Sequence, residues 1–124
     1  MCGLADSLGG SALIAVLDGD EALREALRFS LETEGYRVRA FGTAQALLDC
    51  APGLGAACFV IDEAACDLRL DRLLCGRPVP VILLSSGQGA PSVRRLNARA
   101  SVVDKPLMTD ALSRRIATVL RASP

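Results

Sequence analysis

The sequence predicts an α/β fold, a doubly wound sandwich in which one parallel sheet is covered by helices on both faces. Three observations carry that prediction. Segments of strand length alternate with segments of helical periodicity five times along 124 residues, a length that suits one domain. Three strand segments, residues 12–17 (ALIAVL), 56–61 (AACFVI) and 79–84 (VPVILL), are apolar almost throughout, as strands buried on both sides must be. Each of these runs stops abruptly at polar residues: Asp18, Asp62 and Ser85.

The elements follow in order. Residues 1–11 (MCGLADSLGGS) are small and Gly-rich and read as a flexible tail ahead of a folded domain over 12–121. After the first strand, residues 20–34 place Leu23, Ala26, Leu27, Ser30 and Leu31 at helical spacing, and Gly35 ends the helix. Residues 36–41 (YRVRAF) alternate apolar and basic, the pattern of an edge strand with one wet face. Thr43 suits the cap of a short helix through Cys50, closed by Pro52-Gly53. The third strand, at 56–61, precedes a weaker helical stretch at 67–74 that stops before Gly76. The fourth strand, at 79–84, leads to a short helix from Pro91 to Leu96. Residues 101–103 form a brief last strand ended by Lys105-Pro106. Thr109 then caps a helix with Leu112, Ile116, Val119 and Leu120 on one face.

Composition excludes several classes of function. Only 3% of residues are aromatic and Trp is absent, so stacking platforms for single-stranded nucleic acid are lacking. Charges cancel, 14 against 14, which argues against direct nucleic-acid binding and against an anionic membrane surface. Arg94, Arg95 and Arg99 make a small basic cluster of the kind that usually forms a solvated face. With no His, Ser-His-Asp and Cys-His catalysis and His-ligated metals fall together. Neither G-x-x-x-x-G-K-[ST] nor a strand-linked G-x-G-x-x-G occurs, which weighs against a nucleotide binder. Five cysteines (Cys2, Cys50, Cys58, Cys66, Cys75) form no C-x-x-C pair and read as free thiols in a reducing cytosol. The N-terminus lacks a basic n-region, and its apolar run is too short to span a bilayer. A cytoplasmic location is the expectation.

In doubly wound sheets, ligands bind beyond the carboxyl ends of the strands. The residues that follow four of the strands are Asp18, Asp62, Ser85 and Lys105. Two carboxylates, a hydroxyl and an ammonium on one rim suit a divalent cation and a phosphoryl group. Lys105 is the single Lys beside 13 Arg, so it marks a position where a compact point charge is wanted. Chance could also place Lys105 there, and the other three residues have plainer structural explanations. Asp18 opens D-G-D-E and suits a capping box with Glu21, Ser85 suits a loop hydroxyl bonded to its own backbone, and Asp62 suits a solvated strand end. Their joint placement is what argues for a site.

In that order and spacing, V-L-D-G-D-E-A-L-R (16–24), G-Y-R-V-R-A-F (35–41), C-F-V-I-D (58–62), P-V-I-L-L-S-S-G (80–87) and V-D-K-P-L (103–107) resemble the receiver domain of two-component response regulators. The FixJ-like branch is the nearest in pattern. The resemblance implies a flavodoxin-like, CheY-like five-stranded parallel sheet of order 2-1-3-4-5 with five helices. It implies that Asp62 is the phosphoacceptor, supplied by a histidine kinase or histidine phosphotransfer protein. Ser85 then matches the switch hydroxyl and Lys105 the phosphoryl-pairing lysine. Asp18, Asp62 and the backbone carbonyl of Ala64 match the Mg²⁺ site.

Departures from the family pattern fall on the metal and on the readout. The second acid of the Mg²⁺ pair is Gly19, which predicts weak or absent Mg²⁺ binding. The aromatic switch on the fifth strand is matched by Val102, and the loop after Asp62 reads E-A-A-C-D-L-R-L without the usual Pro and Gly. The expectation is an atypical receiver without enzymatic turnover beyond slow self-dephosphorylation and without an output domain. It would signal to a downstream protein, with a homodimer through the face of the fourth helix, fifth strand and fifth helix as a further expectation. The alternative is a phosphorylation-independent pseudo-receiver that binds partners constitutively. A small α/β enzyme is the third class.

Overall fold

The computed structural model describes residues 12–76, 79–85, 101–104 and 111–122. Among them run β1 (Leu13–Leu17), α1 (Glu21–Thr33), β2 (Arg37–Phe41), α2 (Ala44–Cys50), β3 (Cys58–Asp62), α3 (Leu68–Cys75), β4 (Val81–Ser85), β5 (Ser101–Asp104) and α4 (Ala111–Ala122). Single 3-10 turns at Ala51–Gly53 and Glu63–Ala65 follow α2 and β3. The sheet has five strands in the order β2-β1-β3-β4-β5, and every neighbouring pair is parallel. The helix expected at 91–96, the Thr109 cap, Lys105 and the tail 1–11 lie outside the described residues.

Side-chain alternation along the inner strands divides the core between two faces. Leu13, Ala15, Leu17, Phe59, Ile61, Val81 and Leu83 pack with Leu47 of α2 and with Leu70 and Leu74 of α3. Ile14, Val16, Cys58, Val60, Ile82 and Leu84 pack with Leu27 and Leu31 of α1 and with Leu112 and Ile116 of α4. Both faces of β1, β3 and β4 are therefore dry, which explains their near-continuous apolar sequences. β2 lies at the edge, where Arg37, Val38, Arg39 and Ala40 are half-buried and Phe41 alone is buried. The Arg39 guanidinium lies 5.9 Å from the centroid of the Phe41 ring, a cation–π contact.

Local chemistry sets the helix ends. Gly35, at φ 99°, follows the Glu34 C-cap of α1. Its N–H donates to the Glu32 carbonyl at 3.0 Å, and the Tyr36 N–H donates to the Leu31 carbonyl at 3.1 Å. This double closure needs a residue at ease in the left-handed region. Thr43 caps α2 as expected, its Oγ1 accepting from the Ala46 N–H at 3.1 Å.

Three expectations need correction. α1 is capped by Asp20, whose Oδ1 accepts from the Leu23 N–H, and Asp18 lies two residues too early for that role. β3 and β4 run one residue further than their apolar runs, because Asp62 pairs with Leu84 and Ser85 with Asp104 in the ladder. A polar side chain at a strand end faces the rim while its backbone stays paired. Cys50 is disulfide-bonded, so the cysteines are not all free thiols, although Cys58 and Cys66 are. Spacing along the chain reveals C-x-x-C pairs but not cysteines that the fold brings together.

Candidate functional site

The register of the sheet assembles the rim. Leu17 pairs with Ile61, so Asp18 and Asp62, each one residue further on, end neighbouring strands. Adjacent strands run about 4.8 Å apart. Asp62 pairs with Leu84, which sets Ser85 one step beyond on the next strand over. Ser85 in turn pairs with Asp104, the residue before Lys105. The structure thus brings Asp18, Asp62 and Ser85 to one edge of the sheet, and Lys105 lies outside the described residues.

Asp18 is completely buried. Its N–H donates to the Phe41 carbonyl at 3.1 Å, extending the β1–β2 ladder by one bond. Its Oδ1 accepts the Asp20 N–H at 2.9 Å, an Asx-type turn that swings the chain from strand into helix. Its carbonyl accepts from Arg24 Nη1 at 2.8 Å. Asp62 is 8% exposed, and its Oδ1 accepts the Ala64 N–H at 3.3 Å, capping the 3-10 turn after β3. Glu63, also buried, has an Oε1 atom without a hydrogen-bond partner. Ser85 is half-buried.

Two buried carboxylates on adjacent strand ends match the one or two carboxylates that Mg²⁺ takes from a protein while keeping several waters. Among the described residues, no group of three or more His, Cys, Asp or Glu side chains is placed to hold a metal ion. Gly19 supplies no carboxylate, although a Cβ there would meet nothing closer than the Gly42 carbonyl at 3.8 Å. The residues therefore fit a cation through a minimal donor set, and sterics do not explain the missing acid.

Of the free thiols, Cys58 is inert: burial pushes it up to about 12, where almost no thiolate forms near neutrality. The sequence points to Glu63 as a nearby source of negative charge for the cation site but does not point to Arg24. A signal for Arg24 is present, because a cation near the start of a helix opposes the positive end of the helix dipole and so calls for a specific partner. Among the described residues, no helix is long and apolar enough to cross a membrane.

No family model matches the chain. The transcriptional regulatory protein FixJ of Bradyrhizobium diazoefficiens is 34% identical over 116 residues, covering 87% of this chain and 56% of FixJ. The chain spans about half the length of the curated relatives it matches. Among solved structures, full-length FixJ from B. japonicum superposes with a TM-score of 0.79 at 29% identity, covering 90% of this chain and 59% of that one. A CheY-like response regulator receiver domain protein from Methanospirillum hungatei superposes with a TM-score of 0.80 at 22% identity, covering 91% and 96%, a likeness of fold.

Proposed function

The chain is a response regulator receiver domain of two-component signalling, and from that premise we propose that it accepts a phosphoryl group on Asp62. The observation that supports this most is the strand register that sets buried Asp62 between Asp18 and Ser85 at the carboxyl edge of the sheet. The donor is the phosphohistidine of a histidine kinase or histidine phosphotransfer protein. A carboxylate oxygen of Asp62 attacks phosphorus, a P–O bond forms, and the P–N bond breaks. The imidazole leaves and takes up a proton from solvent.

An anionic nucleophile meeting an anionic phosphoryl group needs the repulsion offset. Asp18, Asp62 and the Ala64 carbonyl would hold Mg²⁺, which when bound supplies positive charge to the phosphoryl oxygens. Ser85 and Lys105 are the remaining partners for those oxygens, by hydrogen bond and by charge. The aspartyl phosphate signals to a downstream protein in the cytoplasm, and the domain performs no turnover beyond slow self-dephosphorylation.

One observation favours a second reading. Gly19 has room for a side chain but contributes no acid, as suits a surface that binds partners without phosphorylation. Incubation with an acyl phosphate and Mg²⁺, followed by intact mass, decides between them. A gain of one phosphoryl group is expected. No gain, with either the small donor or a phosphorylated histidine kinase, leaves the constitutive binding module.

A further inference from the structure

We propose that Arg24 is the positioning residue of the acidic rim, holding the β1–α1 loop so that buried Asp18 is presented in a fixed geometry; this rests on the phosphoacceptor reading of the site. Arg24 is the fourth residue of α1, where the helix N-terminus disfavours a cation. A specific contact offsets that cost: Nη1 reaches back six residues to the Asp18 carbonyl at 2.8 Å. The Asp18 N–H is already held by Phe41 and its Oδ1 by the Asp20 N–H. Arg24 thus secures the remaining backbone group of the one acid that survives from the pair.

Gly42 gives the guanidinium its place. A Cβ added at Gly42 would lie 2.9 Å from Arg24 Nη1 and 3.4 Å from its Cζ. Gly42 is not among the positive-φ glycines, Gly35 and Gly55. Space, rather than backbone conformation, is therefore what its missing side chain provides. The guanidinium lies against the Gly42 backbone while bonding the Asp18 carbonyl, and so ties the loop after β1 to the loop after β2. With no second acid at position 19, the cation site has only Asp18 and Asp62 as carboxylates and depends on how well Asp18 is oriented. Groups that orient a ligand from behind typically govern metal affinity by about 10–100-fold.

Two variants attack the contact from opposite sides. Arg24→Met removes the guanidinium, and Gly42→Ala displaces it without removing its charge. Each is expected to raise the Mg²⁺ concentration for half-maximal phosphoryl incorporation by about 10-fold. The rate at saturating Mg²⁺ should stay close to that of the unmodified chain, a split that a general loss of structure would not produce. The double variant should be no worse than either single one, because both remove the same contact. Arg24→Lys should recover part of the affinity, and Arg28→Met, on the same helix but paired with Glu25, should change nothing.

Hydrogen exchange at the Asp20 amide, which is bonded to Asp18 Oδ1, should accelerate in both variants. If Arg24→Met folds and keeps both the unmodified Mg²⁺ dependence and slow Asp20 exchange, the positioning role is overturned. Should Arg24→Met fail to fold, the same two measurements on Gly42→Ala uphold or overturn the role in its place. If the unmodified chain takes up no phosphoryl group, the phosphoacceptor reading fails, and exchange at Asp20 alone decides whether Arg24 holds the loop.

Discussion

The two acids at the rim sit on loops built in different ways. The loop after β1 is tied outward: Asp18 is bonded to β2 through Phe41 and to α1 through Arg24, and its side-chain and Arg24 bonds measure 2.9 and 2.8 Å. In the loop after β3, the bonds of Asp62 Oδ1 and of the Cys66 N–H are local and longer. Asp62 Oδ1 accepts from Ala64 at 3.3 Å, and the Cys66 N–H donates to the Glu63 carbonyl at 3.3 Å. Glu63 is buried there with a carboxylate oxygen that has no partner, a costly arrangement unless something else offsets it. The first loop ties its acid to two other elements, whereas the Asp62 carboxylate caps a short turn of its own loop. That division suits a nucleophile that must accommodate an incoming group beside an acid that must not move.

Substitutions at the two acids test this contrast most strongly. Asp62→Asn should abolish the mass gain of one phosphoryl group altogether, because an amide cannot replace the nucleophile. Asp18→Asn keeps the acceptor for the Asp20 N–H but removes the charge, so incorporation should slow by about 10–100-fold while the mass gain still occurs. A gain that survives in Asp62→Asn breaks the assignment. Complete loss in Asp18→Asn would mean that the first loop supplies more than charge and position.

Gly19→Asp sharpens the comparison by adding a carboxylate beside Asp18 in the first loop. An aspartate Cβ fits there, 3.8 Å from its nearest neighbour, so the substitution should leave the fold intact. Mg²⁺ binding should tighten by about 10-fold, or about 1.4 kcal/mol. Titration followed by amide shifts checks it, and equal affinities in the two proteins would show that Gly19 is no deficit.

Much of this architecture is legible in the sequence because burial on both faces leaves a strand no polar positions, which is why β1, β3 and β4 stand out. The apolar pattern ends β3 and β4 one residue short, at Asp62 and Ser85, since a rim side chain looks like a loop residue while its backbone remains in the ladder. The cap of α1 is ambiguous in the sequence. D-G-D-E offers two aspartates, and only the turn made by Asp18 Oδ1 with the Asp20 N–H decides which one faces the helix. The juxtaposition of Asp18, Asp62 and Ser85 follows from strand order alone. Arg24 does not, because its partner is a backbone carbonyl that no side-chain pattern announces. The Cys50 disulfide is hidden too, because no C-x-x-C spacing announces it.

The smallest expected effect lies at the far end of the second loop, where Asp67 caps α3. Its Oδ1 accepts the Leu70 N–H at 2.9 Å, and Arg69 Nη2 lies 3.3 Å from its other oxygen. The Leu70 N–H, foremost, holds the Asp67 carboxyl below its ordinary 3.8; partial burial opposes this, and Arg69 adds to it. Removing such a cap costs about 1 kcal/mol, so Asp67→Ala should lower unfolding stability by that amount near neutral pH. The pH dependence has a definite sign. Because the folded-state pKa is depressed, the charged form is favoured on folding. The contribution is fully present above the unfolded-state value and is lost as pH falls through the folded-state value. Asp67→Asn, which retains an acceptor but not the charge, should therefore be less stable than the unmodified chain at about pH 7 and converge on it once the pH lies below the folded-state value. Urea unfolding at the two pH values measures the difference. A gap that stays constant would mean that the charge of Asp67 contributes nothing to holding the start of α3. The second loop would then draw on the Asp62 cap and the packing of Leu70 and Leu74 instead.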